Sequence, residues 1–277
     1  MNQSNSNSKN VRPVAGLIKP VIAMIHVPAL PGTPKSILSM DQIIEATLLE
    51  AETYAKAGVD ILMIENMHDV PYLNKSAGAE ITAAMAIIGR NIRKAHSVPC
   101  GIQILAGANH QAMGAAKAAG LEFIRAEGFV FGHIGDEGYF DSCAGELLRY
   151  RKSIGADEIC IFTDIKKKHS SHSITSDVDI VETARAAEFF LADGVIVTGA
   201  STGCEASLEE IRAVRSAVSI PVLVGSGVTA QNVATFLLET DALIVGSHFK
   251  KKGHWSNPID AERVKAFMDS VRSLRDA

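Results

Sequence analysis

The sequence reads IPVLVGSGVTAQNV at residues 220–233 and ALIVGSHFK at residues 242–250. In each stretch a short run rich in Val, Leu and Ile ends in a Gly-Ser pair. Strands of a parallel sheet that are buried on both faces have this continuous apolar pattern. The two stretches therefore predict two consecutive buried strands, each of which ends in a glycine-containing turn.

Six further apolar runs precede these two, and helical patterns separate them. The eight runs are residues 21–27, 59–64, 98–105, 121–126, 158–165, 194–198, 220–224 and 242–245. Eight strands that alternate with helices predict a fold of the α/β class, a single (β/α)8 or TIM barrel. A doubly wound open sheet is the alternative, but the first-turn glycine fingerprint of that fold is missing after Val27.

Local signals mark where the helices begin and end. Residues 39–42 (SMDQ) and 207–210 (SLEE) have the spacing of a capping box, which predicts two helix N-termini. Gly58, Gly120 and Gly194 each lie between a helical pattern and the next strand, where we expect a C-terminal helix cap.

Composition limits the class of protein. The 277 residues suffice for one barrel, and we expect residues 1–15 to be a disordered tail and residues 16–277 to be the barrel domain. A net charge of -4 argues against a nucleic-acid partner, and no apolar run reaches the roughly 20 residues of a membrane span. The four cysteines form no C-x-x-C pair, which favours a reducing compartment and a cytoplasmic location. A homo-oligomer is compatible with the sequence, which does not specify a number of subunits.

The turns after the last two strands predict a phosphate site. Glycines let the backbone approach a ligand closely, and paired turns after strands seven and eight are the recurrent phosphate site of such barrels. We therefore expect a phosphorylated small molecule as the partner. The residues expected to bind it are Gly225, Ser226, Gly227, Gly246 and Ser247, with Thr202 and Gly203 after strand six extending the same cradle. The alternative is that the glycines only make tight turns.

Charged residues at the ends of strands four and five predict acid–base chemistry. Because side chains alternate along a strand, Asp164 and Lys166, and further on Lys168, should share the face that points into the barrel. Arg125 and Glu127 should do the same on the neighbouring strand. The alternative is a structural ion-pair network that closes the top of the barrel.

Polar residues also end strands one and two. Glu65 and Asn66 interrupt an apolar run at the functional end, and His26 lies in strand one, where a core role is equally compatible with the sequence. No metal-ligand motif such as H-E-x-x-H is present, so no metal ligand is assigned, although carboxylates at several strand ends leave Mg²⁺ open. The glycine-rich segment 128–142 predicts a mobile loop over the site, with a plain surface loop as the alternative.

Six segments together resemble the BtpA family. They are AMIHVPALPG (23–32), ENMHDVPY (65–72), FIRAEGFVFGHIGDEG (123–138), AGELLRYRKSIGA (144–156), TDIKKKHS (163–170) and the pair of turns quoted above. The resemblance implies a barrel similar to the ribulose-phosphate-binding barrels, in a family named for a member implicated in photosystem I biogenesis. Many members carry Leu-Arg-Asn-Asp after strand three, whereas this chain has LAGANH at 105–110, so any role of that Arg does not transfer.

Two functions follow from these observations. The first is an enzyme that acts on a phosphorylated sugar or nucleotide-like metabolite, as an isomerase, epimerase or lyase. The second is a non-catalytic assembly, biogenesis or regulatory factor that binds a phosphorylated ligand. The charged cluster favours catalysis, because a sensor needs phosphate contacts but no acid–base pair beside them.

Overall fold

Eight parallel strands close into one barrel. The structure is a computed structural model that describes Arg12, residues 14–199 and residues 205–276. The barrel strands are β1 (Val21–His26), β2 (Ile61–Glu65), β3 (Cys100–Gln103), β4 (Phe123–Ala126), β7 (Cys160–Ile165), β9 (Gly194–Val197), β10 (Val222–Val224) and β11 (Ala242–Val245). They pair in this order, and β11 closes the barrel against β1. The predicted (β/α)8 barrel is confirmed, and each predicted run ends within two residues of its strand.

Helices surround the barrel. They are α1 (Met40–Ala57), α2 (Ala79–Ala95), α3 (Asn109–Ala119), α4 (Ala144–Ser153), α5 (Ile180–Phe189), α6 (Leu208–Ala217), α7 (Val233–Glu239) and α8 (Ala261–Asp276). Ser39 and Gln42 form both bonds of the predicted capping box, whereas Ser207 accepts one bond from the Glu210 N–H. Gly58 and Gly120 are left-handed C-caps, as predicted.

The barrel has two separate apolar layers. One lies between the strands and the helices, and the other fills the barrel interior. Inside, the rings of Phe123 and Phe162 pack with their centroids 5.3 Å apart. A Cβ atom at Gly101 would lie 2.2 Å from the Phe123 ring, and one at Gly194 would lie 2.8 Å from the Phe162 ring. Gly194 is therefore a strand residue that makes room for a ring, and its predicted role as a helix cap is wrong.

The N-terminal ends of the strands are covered by the chain that precedes β1. Val14 is fully buried and belongs to the interior layer. Arg12 donates a hydrogen bond of 2.7 Å to the carbonyl of Val218, which precedes β10. These two residues of the expected 1–15 tail thus pack against the barrel. The Val14 side chain closes the barrel interior at the N-terminal ends of the strands.

A small antiparallel sheet lies at the opposite end. It consists of β5 (His133–Gly135), β6 (Gly138–Phe140) and β8 (Ser170–Ser171), with β5 in the centre. Residues 128–142, expected as a loop, therefore contain a hairpin that pairs with the segment after β7.

Candidate active site

A cavity of about 470 Å³ opens above the C-terminal ends of the barrel strands. The side chains that point into the barrel beneath the cavity are apolar, whereas those that form the floor of the cavity are polar. The polar residues that line it from successive strands are His26, Glu65, Gln103, Arg125 and Asp164. Strand alternation places them there, as it does the apolar residues two positions earlier.

Arg125 and Asp164 form a buried bidentate ion pair. The Arg125 Nε atom lies 2.9 Å from Asp164 Oδ2, and Nη2 lies 2.8 Å from Oδ1. Burial acts to lower the pKa of Arg125, but Asp164 outweighs it and the pKa is raised. Both oxygens of Asp164 are occupied, so this carboxylate orients the guanidinium and is not a free base.

Glu127 forms a second pair just beyond the end of β4. Its Oε2 atom accepts a bond of 2.9 Å from Lys167 Nζ, and its Oε1 atom accepts one of 3.1 Å from Gln103 Nε2. Burial opposes the charge on Lys167, yet the neighbouring Glu127 raises the net pKa of this lysine. The pairs Arg125–Asp164 and Glu127–Lys167 are buried structural ion pairs, which is the alternative that the sequence left open for the charges at the top of the barrel.

Lys166 points away from the cavity, and its predicted inward position is wrong. Strand β7 ends at Ile165, and Lys166 takes a φ of +47°, which breaks the alternation of the strand. Its Nζ atom instead donates a bond of 3.0 Å to the carbonyl of Thr175. The next two lysines, Lys167 and Lys168, enter the cavity.

Lys168 has an environment unlike that of Lys167. Within the described residues its ammonium makes no hydrogen bond and no ion pair within 4 Å. Burial lowers the pKa of Lys168, and Arg125 lowers it further, while Glu65 and Asp164 partly offset the shift.

His26 and Glu65 form a pair whose neutral forms are favoured. The Nδ1 atom of His26 lies 2.9 Å from the carbonyl oxygen of Trp255, which only accepts, so Nδ1 carries the proton and Nε2 does not. Burial, and next Lys250, lower the pKa of His26 to about 3. Burial also raises the pKa of Glu65, although Arg125 opposes this. The two side chains are 3.8 Å apart. They therefore present an unprotonated imidazole nitrogen and a carboxyl group that retains its proton at unusually high pH.

The two glycine turns line the same cavity, in the adjacent positions that were predicted. Residues 225–229 follow β10, and residues 246–248 follow β11, its neighbour in the barrel. The backbone N–H groups of Gly227, Ser247 and His248 donate to no group among the described residues. Gly227 has a φ of +68°, a conformation that a side chain would strain. These free donors suit an anion.

Arg263 adds a cation that the sequence reasoning missed. It lies in the first turn of α8 and lines the cavity beside Ser247. Its Nε atom donates a bond of 2.7 Å to the carbonyl of His248, and within the described residues no carboxylate lies within ion-pairing distance. Its charge is thus held beside the turn and not neutralised. No strand-end pattern could have revealed it, because it comes from a helix.

Asn66, which was also predicted to bind the ligand, does not line the cavity. The Asn66 side-chain amide donates a hydrogen bond of 2.8 Å to Asp69 Oδ2. Its oxygen accepts a hydrogen bond of 2.7 Å from the Leu105 N–H. Its amide therefore fixes the loops after β2 and β3, outside the position in which it was predicted. Thr202 and Gly203 lie outside the described residues.

Loops complete the wall of the cavity. The β5–β6 hairpin contributes Asp136 and Glu137, and the loop before α8 contributes Trp255, the only tryptophan of the sequence. The ring of Trp255 lies 5.1 Å from that of His68. The described residues include no group of three or more His, Cys, Asp or Glu side chains placed to hold a metal ion. No helix within them is long and apolar enough to cross a membrane.

Comparison with known proteins identifies relatives along almost the whole chain. Residues 17–273 match the sequence profile of the BtpA family. A Caenorhabditis elegans protein, described as uncharacterized and mitochondrial, is 51% identical over 92% of this chain and 94% of its own. The photosystem I biogenesis protein BtpA of Synechocystis is 31% identical over 91% of this chain and 88% of its own.

A solved structure shares the fold. Phosphoribosyl anthranilate isomerase from Thermus thermophilus superposes with a TM-score of 0.57, over 92% of this chain and 100% of that one. The sequence identity is 13%, so the likeness concerns the barrel alone.

Proposed function

The chain belongs to the BtpA family, and we propose that it is an enzyme that performs acid–base chemistry on a phosphorylated metabolite. The phosphate binds to the turns after β10 and β11, and the reacting carbons lie in the cavity above His26 and Glu65. An isomerase, an epimerase or a lyase fits this description. The cytoplasmic location is part of the same proposal; the mitochondrial description belongs to the worm relative.

One cavity supports both halves of this proposal. Its anion-binding half has N–H donors at Gly227 and Ser247 that no acceptor within residues 14–199 and 205–276 binds, and the charge of Arg263, which no carboxylate within those residues neutralises. Its other half has a neutral imidazole, whose Nε2 atom can accept a proton, and a carboxyl group of raised pKa, which can donate one. Arg125 and Asp164 position the second half, since their ion pair fixes the charge next to Glu65.

The phosphate half is tested by fluorescence, because Trp255 lines the cavity and is the only tryptophan. Titration with inorganic phosphate and with ribose 5-phosphate should change its emission. Arg263→Gln removes a charged donor and should weaken phosphate binding about tenfold. The matched control is Arg185→Gln, which removes an exposed arginine of α5 and should leave binding unchanged. Equal affinity in Arg263→Gln and the native chain would contradict the site.

The chemical half is tested by proton exchange. Sugar phosphates incubated with the protein in D₂O should gain deuterium at the carbon next to the carbonyl group, as followed by ¹H NMR. Glu65→Gln should abolish this exchange while phosphate binding is retained, because Glu65 lies on the floor of the cavity and the phosphate turns are unaltered.

The rival function is a non-catalytic factor that binds the same ligand, in line with the name of the Synechocystis relative. A binding factor would bind phosphate through Arg263 but would catalyse no deuterium exchange in the native chain. Binding without exchange across a broad set of phosphorylated metabolites would therefore favour this rival. Repeating the screen with added Mg²⁺ covers the metal left open by the sequence.

A further inference from the structure

We propose that Lys168 forms an imine with the carbonyl group of the bound ligand, so that the substrate is a phosphorylated aldehyde or ketone. This inference rests on the proposed function, because it uses the phosphate turns to hold the ligand. It adds a covalent step and a substrate class to the acid–base chemistry of His26 and Glu65.

The arrangement of cations distinguishes Lys168 from its neighbours. Arg125 is bound to Asp164, and Lys167 is bound to Glu127, each at hydrogen-bond distance. Arg263 is held at the phosphate turn by the carbonyl of His248. Lys168 lines the same cavity, and none of its contacts among the described residues holds its Nζ atom. Its amine is therefore available to a ligand.

The neighbours of Lys168 suit an amine that reacts. Burial and the positive charge of Arg125 both favour loss of the ammonium proton and lower the pKa of Lys168. A neutral amine is the form that adds to a carbonyl carbon. Lys168 is close enough to Glu65 and His26 to influence the pKa of each. An acid and a base thus accompany the nucleophile.

These three residues balance the reaction. The Lys168 nitrogen adds to the carbonyl carbon and forms the C–N bond, and the oxygen takes one proton from Glu65. A second proton moves from nitrogen by way of His26 Nε2 to the resulting hydroxyl, which leaves as water. The product is a protonated imine that retains one hydrogen on nitrogen. Its positive charge acidifies the adjacent carbon, which is the position where proton exchange is proposed above.

Reductive trapping tests the inference on the full chain. The protein is incubated with dihydroxyacetone phosphate and sodium cyanoborohydride, and the modified lysines are mapped by peptide mass spectrometry. We expect the adduct at Lys168 to exceed that at Lys166 at least tenfold, and excess inorganic phosphate to suppress it. Lys168→Arg should abolish the cavity adduct, whereas Lys166→Arg, outside the cavity, should leave it unchanged.

A second probe separates this inference from the proposed function. Dihydroxyacetone carries the same ketone but no phosphate, so it should label Lys168 more slowly than dihydroxyacetone phosphate does. Phosphate binding detected by Trp255 without any adduct at Lys168 would overturn the imine and leave the phosphate site intact. Equal labelling by both probes, unaffected by inorganic phosphate, would overturn the phosphate site and the phosphorylated substrate class. An adduct spread evenly over exposed lysines such as Lys56 would overturn the inference outright.

Discussion

Lys166, Lys167 and Lys168 are consecutive residues of one type, yet each has a different environment. Lys166 binds the carbonyl of Thr175 outside the cavity, Lys167 pairs with Glu127, and Lys168 lines the cavity with its ammonium held by no described residue. The left-handed conformation of Lys166 separates it from the two lysines that follow. A shift of one residue along the chain therefore decides whether a lysine side chain lies outside the cavity or lines it.

Replacing the paired lysine should destabilise the protein more than replacing its neighbour. Lys167→Met leaves Glu127 as a buried carboxylate without its cation, which should lower the free energy of unfolding by roughly 3 kcal/mol. Lys166→Met loses hydrogen bonds to Thr175 at a partly exposed position and should cost about 1 kcal/mol. Urea unfolding of both variants measures the difference, and equal losses would contradict the assignment of the pair.

Sequence reasoning placed the charged side chains correctly inside the strands, and it misplaced two side chains just beyond them. Arg125 and Asp164 lie within β4 and β7, where alternation holds, and both reach the cavity floor. Lys166 and Asn66 each follow the last residue of a strand, where backbone angles are no longer fixed by the sheet. The backbone there gives Lys166 a positive φ, and local hydrogen bonds occupy Asn66.

At the scale of elements, the strands were predictable because both of their faces are buried. A continuous apolar run carries that information, and the loops above the barrel carry no comparable signal. The β5–β6 hairpin is glycine-rich and only partly buried, so its pattern resembled a loop. The pairing of Ile134 with Ser171 and of Gly135 with Ser170 joins segments distant in sequence, and no local pattern encodes such a tertiary contact.

The β3–β4 pair offers a test of packing inside the barrel. In Gly101→Ala the new Cβ atom would overlap the Phe123 ring, which should destabilise the protein by about 3 kcal/mol. Phe123→Leu should itself be destabilising, but in the double variant the smaller side chain accommodates the methyl group. A double-mutant cycle by thermal or urea unfolding should give a favourable coupling of at least about 1 kcal/mol. Strictly additive losses would show that the two positions do not compete for the same space.

At the scale of the whole molecule, buried histidines should make stability depend on pH. Burial lowers the pKa of His26 to about 3, and burial, with Lys167, lowers that of His133 to about 4. Between these values and about 6.5 the unfolded chain binds protons that the folded chain does not. The free energy of unfolding should therefore fall as pH decreases from 6.5, by about 1.4 kcal/mol per pH unit for each ring.

Urea unfolding at pH 7.5, 6.0 and 5.0 measures this dependence. Glu65 has the opposite effect on the free energy of unfolding. Because burial raises the pKa of Glu65, its stabilising contribution is lost as pH rises. His133→Gln removes one of the two rings without entering the cavity floor, so the slope between pH 6.0 and 5.0 should become shallower. A slope unchanged by this substitution would show that His133 titrates alike in the folded and unfolded chains.

The filled lower half of the barrel determines how anything travels to and from the site. Val14 and the paired rings of Phe123 and Phe162 occupy the interior beneath the polar floor. The barrel interior below the cavity is therefore filled, and the cavity opens at the C-terminal ends of the strands, where the hairpin carries Asp136 and Glu137. Exchange between the cavity and solvent therefore takes place at that end of the barrel, because the described side chains fill the interior beneath it.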